Sequence, residues 1–248
     1  MNIDALIAAL LLAAVYALGG SRKRLLSGFW RHRRWVSAAA GVSVAYVFVD
    51  VLPELAAQNE SLNASAANSA ALYAEQRIYV LALLSFVVMY GLEHLVLSQR
   101  RGTEGGESGH AGGQADAVYW MHLAGFAAYS ALIGYLLVER AERGGIALAV
   151  YVAAMAVHFI VVNHSLTEEH GDVYRRHGHW VLAASVLAGW ALASAIELSD
   201  LAFARMFALL AGGVVITSLR AELPDDREGR FWPFCLAAVV FAAVLLAA

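Results

Sequence analysis

The stretch Tyr151–Trp180, YVAAMAVHFIVVNHSLTEEHGDVYRRHGHW, begins as an uncharged apolar run and ends as a polar cluster. The apolar part has the length and composition of a membrane-crossing helix, which decides the class of fold. Of the nine histidines in the chain, those in this stretch are His158, His164, His170, His177 and His179.

A helical repeat would group the polar side chains of this stretch into two stripes. His158, Ser165 and Glu169 fall on one stripe, whereas His164 and Glu168, one turn apart, fall on the other. Imidazoles beside carboxylates suit a transition metal or a proton relay. The alternative is that the histidines belong to a solvated helix end without a chemical role.

The composition extends this interpretation to the whole chain. Hydrophobic residues make up 60% of the sequence and charged residues 15%, and the mean hydropathy is +0.62. These values exclude an ordinary soluble domain and indicate an integral membrane protein. The single cysteine, Cys235, excludes an intramolecular disulfide and a thiolate metal cluster. The abundance of alanine and arginine is typical of a bacterium, so the expected location is the bacterial inner membrane.

The sequence predicts an all-α membrane protein with eight transmembrane helices in one domain, 1–248. A spanning helix needs about 20 mostly apolar residues. Such runs lie at about 3–20, 35–56, 76–98, 117–138, 146–167, 179–198, 201–220 and 231–248. The Gly-rich segment at about 99–116 is expected to be a flexible cytoplasmic loop. Small residues within the runs are expected to let helices approach closely.

Basic residues predict the orientation. With the N-terminus outside, most arginines and lysines fall in the cytoplasmic connections, as the positive-inside rule requires. Both termini are then outside, and the polar end of the Tyr151–Trp180 stretch faces the cytoplasm. The basic loop SRKRLLSGFWRHRR is expected to touch anionic lipid rather than nucleic acid.

Ionisable residues within apolar runs are functional candidates, because an unpaired charge in lipid is costly. Asp50 and Glu54 lie late in the second run, near the outer mouth, where Pro53 is expected to break the helix. Arg205 lies at a similar depth in the seventh run. The three residues could form an entry gate, or Asp50 and Arg205 could form a structural salt bridge.

A second group of ionisable residues lies in the inner half of the bilayer. It consists of Glu93 and His94 in the third run, His122 in the fourth and His158 in the fifth. Imidazoles with a carboxylate can bind zinc. Alternatively, each histidine could form a hydrogen bond to a neighbouring helix, with Glu93 reaching the headgroups.

The predicted layout resembles the ZIP (Zrt/Irt-like) family of divalent-metal transporters. Two motifs carry the resemblance: VDVLPEL at the end of the second run, and AGGVVITSLRAELPDDREGRFWPFCLAAVVFAAVLL over the last two runs. The family's metal-binding motifs in the fourth and fifth helices keep only their histidines here. Leu123 to Phe126 follow His122, and Phe159 to Val162 follow His158, so the acids are absent. The resemblance therefore implies the architecture of the family with an altered metal site.

The leading functional prediction is a ZIP-like transporter, not an enzyme, for a divalent cation such as zinc. The lipid bilayer and the metal ion are its expected partners, no nucleic acid is expected, and a homodimer is one candidate assembly. The alternatives are a non-transporting ZIP-like sensor or assembly protein, and a membrane-embedded zinc hydrolase. The predicted metal ligands are His122, His158, Glu93 and His94, and the predicted acceptors at the cytoplasmic exit are His164, Glu168, Glu169 and His170.

Overall fold

A computed structural model of the protein describes residues 2–19, 33–65, 77–104, 111–222 and 231–247. Almost all of these residues are helical. The helices are α1 (Ile3–Gly19), α2 (Arg33–Tyr46), α3 (Leu52–Ser65), α4 (Arg77–Glu104), α5 (Ala111–Arg143), α6 (Gly145–Val173), α7 (His179–Ala195), α8 (Asp200–Glu222) and α9 (Phe231–Ala247). Two π-helical turns, Val47–Val51 and Tyr174–Gly178, join α2 to α3 and α6 to α7. No β-strand occurs in these ranges, which confirms the all-α prediction.

Several of these helices have the dimensions of membrane spans. Within the described ranges, five continuous helical stretches are long and apolar enough to cross a bilayer: Ser37–Ser61, Arg77–Ser98, Ala117–Arg143, Gly145–Ala195 and Asp200–Ser218. The terminal helices α1 and α9 are apolar but shorter. These dimensions are those of a membrane protein.

The stretch Gly145–Ala195 contains two helices that run in opposite directions. Along α6, Tyr151 contacts Ile133 and His170 contacts His122, so α6 is antiparallel to α5. Gly178, just before α7, lies beside Tyr119, and the carbonyl of Ile196, just after α7, accepts a hydrogen bond from Tyr135. The chain therefore reverses between α6 and α7, which explains why one continuous helical stretch holds two of the predicted runs.

Gly171 makes the reversal possible. Its backbone angles are φ 54° and ψ −126°, a conformation that side-chain-bearing residues avoid and glycine tolerates. The π-helical turn Tyr174–Gly178 begins three residues later. Glu169 and His170 consequently occupy the last positions of α6 before the break.

The helix that contains Pro53 does not end there, contrary to the expected break. The π-helical turn Val47–Val51 precedes it, and α3 continues to Ser65. Proline has no N–H to donate to the carbonyl four residues earlier, and its ring crowds that carbonyl. A widened π turn just before Pro53 accommodates both effects without ending the helix.

Close packing between α5 and α7 supports the prediction that small residues let the helices approach closely. A methyl group added to Gly134 would overlap the Val186 carbonyl, and one added to Gly189 would overlap the Ala131 carbonyl. The two backbones are therefore nearly in contact, which is a common use of glycine between membrane helices.

Helices extend into the predicted flexible loop at 99–116. The last residues of α4 reach Glu104, and α5 begins at Ala111. Residues 105–110, the centre of that predicted loop, lie outside the described residues, as does the basic loop between α1 and α2.

The bundle has two distinct polar ends. Asp50, Glu54, Arg140 and Arg143 meet at one end, which we call the clasp end. Glu93, His122, Glu169 and His170 meet at the other, the histidine end. Apolar and aromatic side chains fill the space between them, including Tyr16 stacked on Phe159 with ring centroids 4.3 Å apart.

Candidate metal centre

Three helices bring the polar side chains of the histidine end together. His122 lies in the first half of α5, while Glu169 and His170 lie at the end of α6. Because α5 and α6 are antiparallel, the beginning of one helix meets the end of the other. Glu93 comes from α4, which packs beside α5.

The ligand atoms of His122, Glu169 and His170 all lie within 4.8 Å of one another. His122 Nδ1 is 2.9 Å from His170 Nε2 and 3.7 Å from Glu169 Oε2. Two ligands of a tetrahedral zinc ion stand roughly 3.3 Å apart, given zinc–nitrogen bonds of about 2.0–2.1 Å. The donors are therefore arranged with nearly the spacing that a zinc ion requires.

Neighbouring side chains restrain two of these donors. Ser165 Oγ donates a 3.1 Å hydrogen bond to Glu169 Oε1, while Oε2 of the same carboxylate lies nearer His122. The ring of Tyr119 stands edge-on to His170, with centroids 5.0 Å apart. The Ser165–Glu169 bond agrees with the helical stripe that the sequence predicts.

Glu93 lies on the opposite edge of the His122 ring. Its Oε1 is 3.5 Å from His122 Nε2, whereas Glu169 and His170 face Nδ1. His122 is completely buried. Glu93 therefore cannot share with Glu169 and His170 an ion bound at Nδ1, although it belongs to the same cluster.

The cluster can perform two kinds of chemistry. Two imidazoles and a carboxylate give a divalent transition metal three ligands and leave a further position open, as transport or catalysis requires. Without a metal, the direct contact between His122 and His170 can pass a proton from one ring to the other.

Two of the predicted metal ligands lie elsewhere. His158 is buried beside Tyr129, with ring centroids 5.6 Å apart. Tyr129 follows His122 by seven residues of helix, a rise of about 10 Å, so His158 lies deeper in the bundle than the cluster. His94 is exposed and lies beside Tyr90 rather than with Glu93.

The remaining predicted exit residues form a separate, partly exposed pair. His164 Nε2 lies 3.4 Å from Glu168 Oε1, one helical turn away, as the second predicted stripe requires. The side chain of Glu168 is 68% exposed. Of the four predicted exit residues, the structure thus brings Glu169 and His170 to His122.

The clasp end contains two bidentate ion pairs. Arg140 donates to both carboxylate oxygens of Asp50, at 3.0 and 3.5 Å, and Arg143 donates to both oxygens of Glu54, at 2.6 and 2.7 Å. Glu139 also contacts both arginines. We call these five residues the clasp. It joins the π turn and α3 to the end of α5.

The alternative in which Asp50 pairs with Arg205 is wrong. Asp50 binds Arg140, and Arg205 is exposed on α8. Arg140 and Arg143 follow the fourth predicted run, which ends at about residue 138, and in the sequence they count among the charges of an outer connection. The two arginines and the carboxylates of Asp50 and Glu54 are predicted at the same depth in the membrane. This match of opposite charges is the signal that could have identified them as partners.

Beside the clasp lies a polar pocket of about 1040 Å³. Its lining includes Gln58, Glu139, Glu142, Glu197 and Asp200. The carboxylates give this pocket a negative potential that favours cations over anions.

Comparison with known proteins adds no relative to this description: no family model, no curated protein and no solved structure matches the chain.

Proposed function

We propose that the protein is a ZIP-like transporter of a divalent transition-metal ion of the zinc type, located in the bacterial inner membrane. The observation that carries the proposal is the convergence of His122, Glu169 and His170 from α5 and α6. Nitrogen donors with one carboxylate favour zinc and its neighbours over magnesium or calcium, which prefer oxygen ligands. In this proposal the metal is the transported substrate rather than a structural ion.

In this proposal the chain crosses the membrane eight times, with both termini outside. The antiparallel helices α6 and α7 would count as two crossings, and α1 and α9 would be the two short ones. The clasp end would face outward, and the acidic pocket there would collect cations. The histidine end would then face the cytoplasm, as the distribution of basic residues predicts.

Exposed apolar faces fit a lipid environment. No residue of α9 is buried, and large apolar side chains of α4 and α9, such as Leu83, Val87, Trp232 and Val239, are exposed. In the proposed orientation these faces contact lipid, or a second copy of the chain if the protein is a homodimer.

Uptake of radioactive zinc into proteoliposomes tests the proposal. The intact protein should transport the ion, and His122→Ala and His170→Ala should not. His177→Ala is the matched control, because His177 is exposed in the nearby π turn. Uptake that is equal with and without the protein would refute transport.

A specific observation favours a second candidate, a ZIP-like sensor or assembly protein that binds metal without transporting it. Tyr16, Tyr151 and Phe159 fill the interior between the two ends of the bundle. Such a protein would bind zinc in detergent but give no uptake.

A zinc hydrolase, the third candidate, would instead consume an ester or peptide substrate, with activity that depends on added zinc.

A further inference from the structure

We infer that Glu93 is a positioning residue that selects the tautomer of His122 in which Nδ1 binds the metal. The inference rests on the proposed metal site and adds a residue that would not touch the ion. It depends on the two edges of the His122 ring, which face different partners.

Metal binding imposes a condition on the ring. A neutral imidazole carries one proton, and the nitrogen that binds a metal must be the one without it. His170 and Glu169 approach Nδ1, at 2.9 and 3.7 Å. The proton must therefore lie on Nε2 when the ion occupies the cluster.

Burial makes this placement costly unless an acceptor is present. His122 is 0% exposed, and Nε2 has no hydrogen bond within the described part of the chain. A buried N–H without a partner loses the hydrogen bond that water would provide. Another residue must supply that acceptor if the tautomer is to be stable.

Glu93 meets this requirement. Its Oε1 lies 3.5 Å from Nε2, an ion-pair distance that a small ring movement would convert into a hydrogen bond. Glu93 itself is buried, with 7% of its surface exposed. A carboxylate that accepts the far N–H of a ligating histidine both fixes the ring orientation and makes the ligand nitrogen more basic.

The opposite tautomer would abolish the site. With the proton on Nδ1, His122 would donate to His170 and could not bind an ion at that nitrogen. Glu93 thus favours the metal-ready state, whereas the contact between the two histidines in the absence of metal is compatible with either proton position. The carboxylate would act through His122 and not on the ion.

The test compares zinc affinity and the proton position in purified full-length protein. Glu93→Gln keeps the size and an oxygen acceptor but removes the charge, and Glu93→Leu removes the acceptor. Loss of such a supporting carboxylate typically weakens metal binding by 10–100-fold. We expect roughly 10-fold weaker zinc binding in Glu93→Gln and roughly 100-fold in Glu93→Leu, with Glu60→Gln, an exposed site on α3, unchanged.

Nitrogen NMR of the zinc-bound protein supplies a measurement that a merely structural role would not alter. The His122 ring should carry its proton on Nε2 in the unsubstituted protein, and the Nε2–H signal should move in Glu93→Gln. Thermal unfolding of each variant in detergent identifies a folding defect. If Glu93→Leu does not fold, Glu93→Gln alone decides.

The outcomes separate the inference from the proposed function. In one outcome, the unsubstituted protein binds zinc, and Glu93→Gln binds it with the same affinity and shows an unchanged Nε2–H signal. That result would overturn the role of Glu93 and leave the metal site standing. Absence of zinc and cobalt binding in the unsubstituted protein would overturn the site and, with it, the inference. Loss of one metal ligand in the cobalt absorption spectrum of Glu93→Leu, as expected if the carboxylate binds the ion directly, would also overturn it.

Discussion

At the scale of single residues, the site is defined by which nitrogens and oxygens face one another. His122 and His170 provide nitrogens 2.9 Å apart, and Glu169 provides an oxygen at the same edge of the His122 ring. Removing either imidazole leaves only two ligands. We expect His122→Ala and His170→Ala to weaken zinc binding by about 100-fold or more, at least the effect of losing a supporting carboxylate.

Isothermal titration of zinc into detergent-solubilised protein measures this loss. His158→Ala is the informative comparison, because His158 lies beside Tyr129. Tyr129 follows His122 by seven helical residues, a rise of about 10 Å along the bundle. His158→Ala should bind zinc as the unsubstituted protein does. Loss of binding in His158→Ala with retention in His170→Ala would instead place the ion between His122 and His158.

The same geometry predicts how zinc binding depends on pH. Protons compete with the metal for the imidazole nitrogens. The affinity for zinc should therefore fall as the pH decreases through the ordinary pKa of histidine, ~6.5. Titrations between pH 5 and 8 should show a steep decrease on the acid side. A zinc affinity that is constant over this interval would mean that carboxylates alone bind the ion.

The sequence predicts which residues belong to the site better than it predicts which of them lie together. His122, Glu93, Glu169 and His170 are all predicted as functional, but in two sets that are assigned to different steps. Apolar periodicity fixes the depth of a residue only to about one turn. It therefore could not show that α6 breaks at Gly171, immediately after His170, or that Glu169 and His170 lie level with His122.

At the scale of helices, the clasp holds the π turn and α3 against α5. The Arg140 side chain is 6% exposed and that of Asp50 is 25% exposed. Breaking a fully buried pair costs about 3–5 kcal/mol. We expect a smaller loss, about 1–3 kcal/mol of unfolding free energy, for Asp50→Ala or Arg140→Ala, because Asp50 retains partial access to solvent.

A double-mutant cycle measured by denaturant unfolding in detergent identifies the interaction. The variant with both substitutions should be less destabilised than the sum of the two single variants. Arg205→Ala serves as the control and should have little effect. Strict additivity for Asp50 and Arg140, or coupling between Asp50 and Arg205, would contradict the clasp.

The contact between α5 and α7 leads to a second prediction at this scale. A side chain at Gly134 or Gly189 would meet backbone carbonyls, which cannot rotate away as a side chain can. We expect Gly189→Ala to lower the free energy of unfolding by about 1–3 kcal/mol, the usual cost of overpacking. Gly91→Ala, where a methyl group meets nothing within 4 Å, should be nearly neutral.

Sequence patterns predict the helices well but not their ends. Length and apolarity place the main helices of the described ranges, since these two properties are what a bilayer selects. The reversal between α6 and α7 and the π turn before Pro53 depend on local hydrogen bonding that hydropathy does not record. The partners of Asp50 and Glu54 depend on which helices are neighbours, which a single sequence does not reveal.

At the scale of the whole molecule, the two polar ends give the protein a direction. The clasp end collects charged pairs and the acidic pocket, and the histidine end holds the candidate metal centre. In the proposed orientation the clasp end is outside and the histidine end is in the cytoplasm. Labelling of single cysteines with a membrane-impermeant reagent can determine whether the two ends lie on opposite sides of a membrane.

The experiment starts from a Cys235→Ala background, which removes the only native cysteine. A cysteine at exposed Glu60, beyond the clasp, should react in intact cells from outside. A cysteine at exposed His177, in the π turn at the histidine end, should react only after the membrane is opened. Both positions are predicted to be hydrated at headgroup level, so a difference in labelling would report the side of the membrane rather than burial.

Each pattern of labelling has a distinct meaning. Reaction of the two positions from opposite sides, with Glu60 outside, would support the proposed path of an ion from the acidic pocket to the His122 site. The reverse orientation would be compatible with the eight proposed crossings but would place the candidate metal centre outside, because both ends of the bundle would exchange sides together. Reaction of both positions from one side would contradict any arrangement in which the bundle axis crosses the membrane, and transport between the two ends would then be impossible.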